Sequence, residues 1–142
     1  MKKLNKKGFT LVELLSVIVI LSVVVLIATN AVVPMANTAK KQVLATEANK
    51  FIATAKTLYV NQGATGTKCY TYEEVINSGL IEKNDETYKG SFLIEENNGK
   101  YSYKIWLSNG TNLVDGKSPD ITGEDVIDSS DEASSVCGAQ ED

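Results

Sequence analysis

The chain has 142 residues, 14 Lys against 18 Asp and Glu, no His and two Cys, for a formal net charge of −4. That length allows one small globular domain, of about 80 residues once an apolar amino-terminal third is set aside. Without His, a nucleotide-binding loop or reactive residues at catalytic spacing, an enzyme is not expected, nor is a bound cofactor or resident metal.

Residues 1–8 are basic, with Lys2, Lys3, Lys6 and Lys7 ahead of Gly8. Four lysines before an apolar run hold that end in the cytoplasm. Removal of these eight residues would leave ten Lys against eighteen acids, a side-chain balance of −8. So acidic a surface repels phosphate backbones, and direct nucleic-acid binding is disfavoured. An ordinary secretory signal is the competing reading, but no Ala-x-Ala site follows Ala28 closely and the apolar run exceeds a usual h-region.

From Phe9 to Ala36 the sequence predicts a helix of roughly 42 Å, enough for a hydrocarbon core of about 30 Å. Its Val and Ile content suits lipid, where every backbone group must bond internally. Pro34 lacks the amide that would reach the Asn30 carbonyl, so a bend is expected there, with Thr29 to Met35 as a soft segment. Glu13 is the only ionisable side chain between Lys7 and Lys40. A carboxylate in hydrocarbon is costly unless paired, so it calls for a cationic partner or must snorkel to the headgroups.

Lys7-Gly8-Phe9-Thr10-Leu11-Val12-Glu13-Leu14-Leu15 ahead of a long apolar helix resembles the amino-terminal signature of type IV pilins and their pseudopilin relatives. The resemblance covers roughly residues 1–60. It implies cleavage between Gly8 and Phe9 by a prepilin peptidase, methylation of the new Phe9 amine, and pairing of Glu13 with the Phe9 amine of a neighbouring subunit. It also implies partners: identical and related pilin subunits, and an assembly platform driven by an ATPase. Gly8 lets the chain pass close to an active site, and Phe9 lies four residues from Glu13, on the same helical face.

Beyond Ala36 the pattern turns amphipathic. Leu44, Ala48, Phe51, Ile52, Ala55, Leu58 and Tyr59 recur at helical spacing, predicting one continuous helix through residues 37–63 with one face on a head. The head, 64–142, opens with a loop at Ala64 to Thr67. Thr71 and Glu74 read as a capping box for a helix from Tyr72 to Ser78, stopped by Gly79. Strands are predicted at Tyr88 to Glu95 and Lys100 to Ser108 around Glu96-Asn97-Asn98-Gly99, and at Thr111 to Val114 after an Asn109-Gly110 turn. Tyr101, Tyr103, Ile105 and Leu107 would share one strand face, with Lys104 and Trp106 on the other. The Tyr and Trp residues read as core packing, with a carbohydrate platform as the alternative. The fold class is α+β: a long helix, membrane-spanning then amphipathic, on a small antiparallel meander.

Residues 115–142 hold nine acids and one Lys. Asp120, Glu124, Asp125 and Asp128 suggest calcium, without an EF-hand spacing; a solvated acidic tail is the competing reading. A Cys69–Cys137 disulfide would require an oxidising compartment beyond the membrane; an intersubunit bond or a reduced pair stay open. The sequence reads as a pilus subunit, stored in the cytoplasmic membrane and assembled into an extracellular filament. A pseudopilin of a secretion or DNA-uptake apparatus, or an uncleaved membrane-anchored binding protein, are the alternatives. The Lys-rich, Arg-free composition suggests a Gram-positive source.

Overall fold

A computed structural model describes residues 8–83, 87–130 and 137. The basic leader before Gly8 and the acidic stretches 131–136 and 138–142 lie outside the described residues. The chain divides into two units, Met1–Asn37 and Thr38–Asp142. Helix α1 runs over Leu11–Asn61, unbroken at Pro34.

In the first unit every described residue is exposed. The stretch is apolar all round, with a mean hydropathy of 3.0 over an 18-residue window of α1. Leu11 to Asn37 spans roughly 40 Å, which makes it long and apolar enough to cross a bilayer.

In the second unit the rest of α1 buries Leu44, Ala45, Ala48, Phe51, Ile52, Ala55 and Tyr59 along one face. Two or three such residues per turn on one side are what periods of three and four predict. The helix ends two residues before Gly63, whose φ of 59° is reached without a Cβ penalty. The amides of Gly63 and Ala64 donate to the carbonyls of Val60 and Tyr59, closing the last turn as a Schellman motif.

Five antiparallel strands follow in the order β1-β2-β3-β4-β5: β1 Lys68–Thr71, β2 Lys89–Asn97, β3 Lys100–Ser108, β4 Asn112–Lys117 and β5 Ile127–Asp128. Helix α2, Tyr72–Asn77, sits between β1 and β2. Its capping box is the one the sequence predicts: the Glu74 amide donates to Thr71 Oγ1 at 3.2 Å, and the Thr71 amide donates to Glu74 Oε2 at 2.8 Å.

The α+β architecture agrees with the sequence, and the strand count does not. Cys69, expected after a loop, lies inside β1, and β5 was not foreseen. Both are short edge strands held by pairing with β2 and β4, with too few residues to show an alternating pattern. The hairpin loop is also tighter than predicted. Glu96 and Asn97 pair with Tyr101 and Lys100, leaving Asn98-Gly99 as a two-residue turn with both φ positive, 53° and 77°. The strand predicted at Thr111 to Val114 is β4, which starts at Asn112 and runs to Lys117, past a bulge at Gly116 opposite Ile105 and Trp106.

The core lies between α1, α2 and one sheet face. Phe51 meets Tyr72 edge-on at 5.3 Å and Phe92 at 6.2 Å, and Phe92 stacks on Tyr103 at 5.9 Å. Tyr101 is about half exposed, while Trp106, on the opposite strand face as predicted, is buried too. The disulfide joins Cys69 of β1 to Cys137, with Cα atoms 5.9 Å apart across a separation of 68 residues.

Candidate processing and assembly site

Gly8 and Phe9 precede the first turn of α1. A Cβ on Gly8 would meet nothing within 4 Å among the described residues. Phe9 is 84% exposed. Gly8 and Phe9 are therefore exposed immediately ahead of a helix.

Glu13 sits in the first turn, where the unpaired amides and the helix dipole favour an anion. Its carboxylate Oε2 accepts from the Thr10 amide at 2.9 Å, and its own amide donates to Thr10 Oγ1 at 3.3 Å. Thr10 and Glu13 thus form a reciprocal capping box, with Thr10 at the N-cap. Thr10 is not among the residues expected at this site, although its Thr-x-x-Glu spacing to Glu13 is the same pattern as Thr71 and Glu74. The box folds the acid back to within one residue of Phe9. An amine created at Phe9 by cleavage would therefore appear next to a carboxylate already drawn to the helix start.

The hydroxyls in this part of α1 are turned inward. Ser16 and Ser22 each donate to the carbonyl four residues back, at 2.7 Å, and Thr29 does so to Val25 and Leu26 at 3.1 and 3.0 Å. Such back-bonding leaves no hydroxyl proton facing outward, which suits a surface in contact with lipid or other apolar helices.

In the described part of the acidic region, two carboxylates are bonded within the protein. Asp125 Oδ2 accepts from both the amide and the hydroxyl of Thr122 at 2.9 Å, and these two bonds hold its carboxyl below the ordinary value of 3.8. Asp128 accepts from Asn112 Nδ2 at 2.8 Å and pairs with Lys41 at 3.0 Å. Among the described residues no three His, Cys, Asp or Glu side chains converge as a metal site.

One buried acid was not anticipated. Glu47 lies on the apolar face of α1, between Leu44 and Phe51, and is 5% exposed. It accepts a 2.8 Å hydrogen bond from the Tyr72 hydroxyl of α2 and meets Lys50 at 3.4 Å. The signal was its position, one turn from Leu44 and from Phe51 on the same stripe.

An exposed, helix-capped boundary ahead of an apolar helix long enough to cross a bilayer is an amino terminus suited to processing at a membrane. A family model described as the prokaryotic N-terminal methylation motif matches residues 3–29. This is the type IV prepilin signature, and it supports a prepilin of the type IV pilin or pseudopilin kind, with pilin subunits and processing machinery as partners in general terms. The motif and the apolar helix fit residence in the membrane followed by a surface filament, but they do not support the Gram-positive source that composition suggests. No curated protein and no solved structure matches the chain.

Proposed function

We propose that the chain is the structural subunit of a type IV pilus. A prepilin peptidase cuts between Gly8 and Phe9 and methylates the Phe9 amine. The apolar part of α1 then passes from lipid into a filament core made of other copies, drawn by an assembly platform and its ATPase. There the Glu13 carboxylate meets the Phe9 amine of a neighbour, which removes an unpaired charge from an apolar core and sets the register between copies. Pro34, inside Thr29 to Met35, marks where the helix can yield during that passage.

The observation that carries this reading is the methylation motif at residues 3–29 running directly into α1, whose first 27 residues bury nothing within the chain. Mass spectrometry of surface filaments tests it: the subunit should begin at an N-methylated Phe9. An intact leader would point to an uncleaved anchor. Glu13→Ala should abolish filaments while leaving the subunit in the membrane, and unchanged assembly and register would refute the pairing. Electron microscopy of filament length separates a pilus from the short filament of a pseudopilin.

A further inference from the structure

Among the described residues of unit Thr38–Asp142 few large apolar side chains stay in water, and two of the sites that present them are complementary. The first is a groove of about 340 Å³ lined by Lys56, Tyr59 and Val60 of α1 and by Ile94, Tyr101 and Tyr103 of the β2–β3 hairpin. Val60 is 73% exposed and Tyr101 48%. Lys56 Nζ stands 4.2 Å from the centre of the Tyr103 ring, which holds its charge against the groove. The Tyr59 hydroxyl is committed to the Gly66 carbonyl at 2.8 Å, and its ring meets Tyr101 edge-on at 6.3 Å. The nearby Glu96 carboxylate is turned to the Gly66 amide at 2.7 Å.

The second site is Leu80-Ile81-Glu82, after α2. Ile81 packs on the core, while Leu80, 50% exposed, and Glu82 both face solvent. A leucine is thus presented with a carboxylate beside it.

The two sites lie on different flanks of α1. Leu58 and Gln62 share a crevice with Asn77 and Ser78 at the end of α2, two residues before Leu80. At 3.6 residues per turn, Leu58 and Gln62 lie roughly 130° around α1 from Lys56, Tyr59 and Val60. Leu80 of one copy is therefore on the wrong side of the helix to fill that copy's own groove.

We propose that the groove of Lys56, Tyr59, Val60 and Tyr101 receives Leu80 of a second copy, with that copy's Glu82 meeting Lys56. A cation set in an aromatic groove on an otherwise acidic protein selects an apolar knob flanked by an acid, and repels wrong registers by like charge. Because the two surfaces differ, the contact is heterologous, and each copy keeps a free groove and a free knob for the next. The inference rests on the reading that copies assemble, and adds which faces of their heads touch.

Cross-linking in membranes and filaments from cells making the full chain tests it. Subunits carrying both Val60→Cys and Leu80→Cys, treated with a short bis-maleimide, should give a ladder of multimers, while each variant with only one of these substitutions stays monomeric. No ladder, or dimers from a variant with only one of the two substitutions, would overturn the contact. Lys83 follows Glu82 and is exposed as well, so the ion pair needs its own test by charge exchange. Lys56→Glu should remove the ladder, and Lys56→Glu with Glu82→Lys should restore it; a ladder indifferent to Lys56→Glu overturns the proposed pairing. Filaments without a ladder would sink this contact and leave the pilus reading standing, whereas a ladder in membranes without filaments would do the reverse.

Discussion

Tyr72→Phe removes one hydroxyl and leaves the ring, so the edge-on contacts of residue 72 with Phe51 at 5.3 Å and Tyr88 at 5.6 Å survive. What goes is the 2.8 Å hydrogen bond to Glu47, which then has Lys50 at 3.4 Å as its remaining side-chain partner. A hydrogen bond to a buried charged group contributes about 1.5–3 kcal/mol, and the upper part of that range applies when the charge left behind stays buried. For a head of this size, a loss of about 2 kcal/mol lowers Tm by roughly 8–16 °C. Thermal unfolding of the full chain in detergent, followed by near-UV circular dichroism, reads this directly. Glu47→Leu on its own removes the charge as well as the bond, and Tyr72→Phe added to it should lose little more, because the pair has already been dissolved. The coupling also has an alkaline signature. Burial, then the bond and charge of Glu47, push the Tyr72 hydroxyl above the ordinary 10.0. Its neutral form is the one that the fold favours, so this stabilisation is complete below about pH 10 and is lost as pH rises through the folded value. Tyr72→Phe should remove that part of the alkaline decline. If Tyr72→Phe stays within about 0.5 kcal/mol of the parent, or adds fully to Glu47→Leu, then the buried acid is not held by the tyrosine and the reasoning fails.

Three further outcomes follow from the head. Gly90→Ala should destabilise by about 1–3 kcal/mol, since a Cβ there would strike the Trp106 carbonyl and Leu107 across the β2–β3 ladder; denaturant melts of the variant check it, and a neutral result would mean that the strands part easily. Cys69→Ser, or reduction, should cost about 4 kcal/mol on the chain-entropy estimate for a loop of this length, seen as a lower Tm with reductant; an unchanged Tm would show that the tail adds no constraint. Asp125 titrates below its ordinary 3.8 because of Thr122, so its contribution is present above pH 3.8 and is lost as pH falls through the lower folded value. Carboxyl NMR should place that titration below those of exposed aspartates, and Thr122→Val should move it upward.

Much of this protein is written in local sequence. A helix long and apolar enough to span follows from an apolar run that, in lipid, would have no alternative way of satisfying its backbone, and Glu13 stands out as the single acid across thirty-two positions. Thr71 and Glu74, Asn98-Gly99 and Gly63 mark their helix start, hairpin and helix end because each works through bonds within a few residues. Thr10 was legible by the same rule.

The remainder needed the third dimension. Lys68–Thr71 and Ile127–Asp128 are strands because β2 and β4 offer them ladders, not because their own residues alternate. Glu47 reads as an interruption of an apolar stripe until Tyr72, 25 residues away, arrives with its hydroxyl. The groove brings together Lys56 and Tyr101, 45 residues apart in the chain, and its distance from Leu80 around α1 is a fact of packing alone. Short-range hydrogen bonding and solvent preference act on neighbours along the chain, so composition and spacing record them. Charge burial, edge pairing and surface complementarity act between segments that only folding brings into contact, and no local pattern carries them.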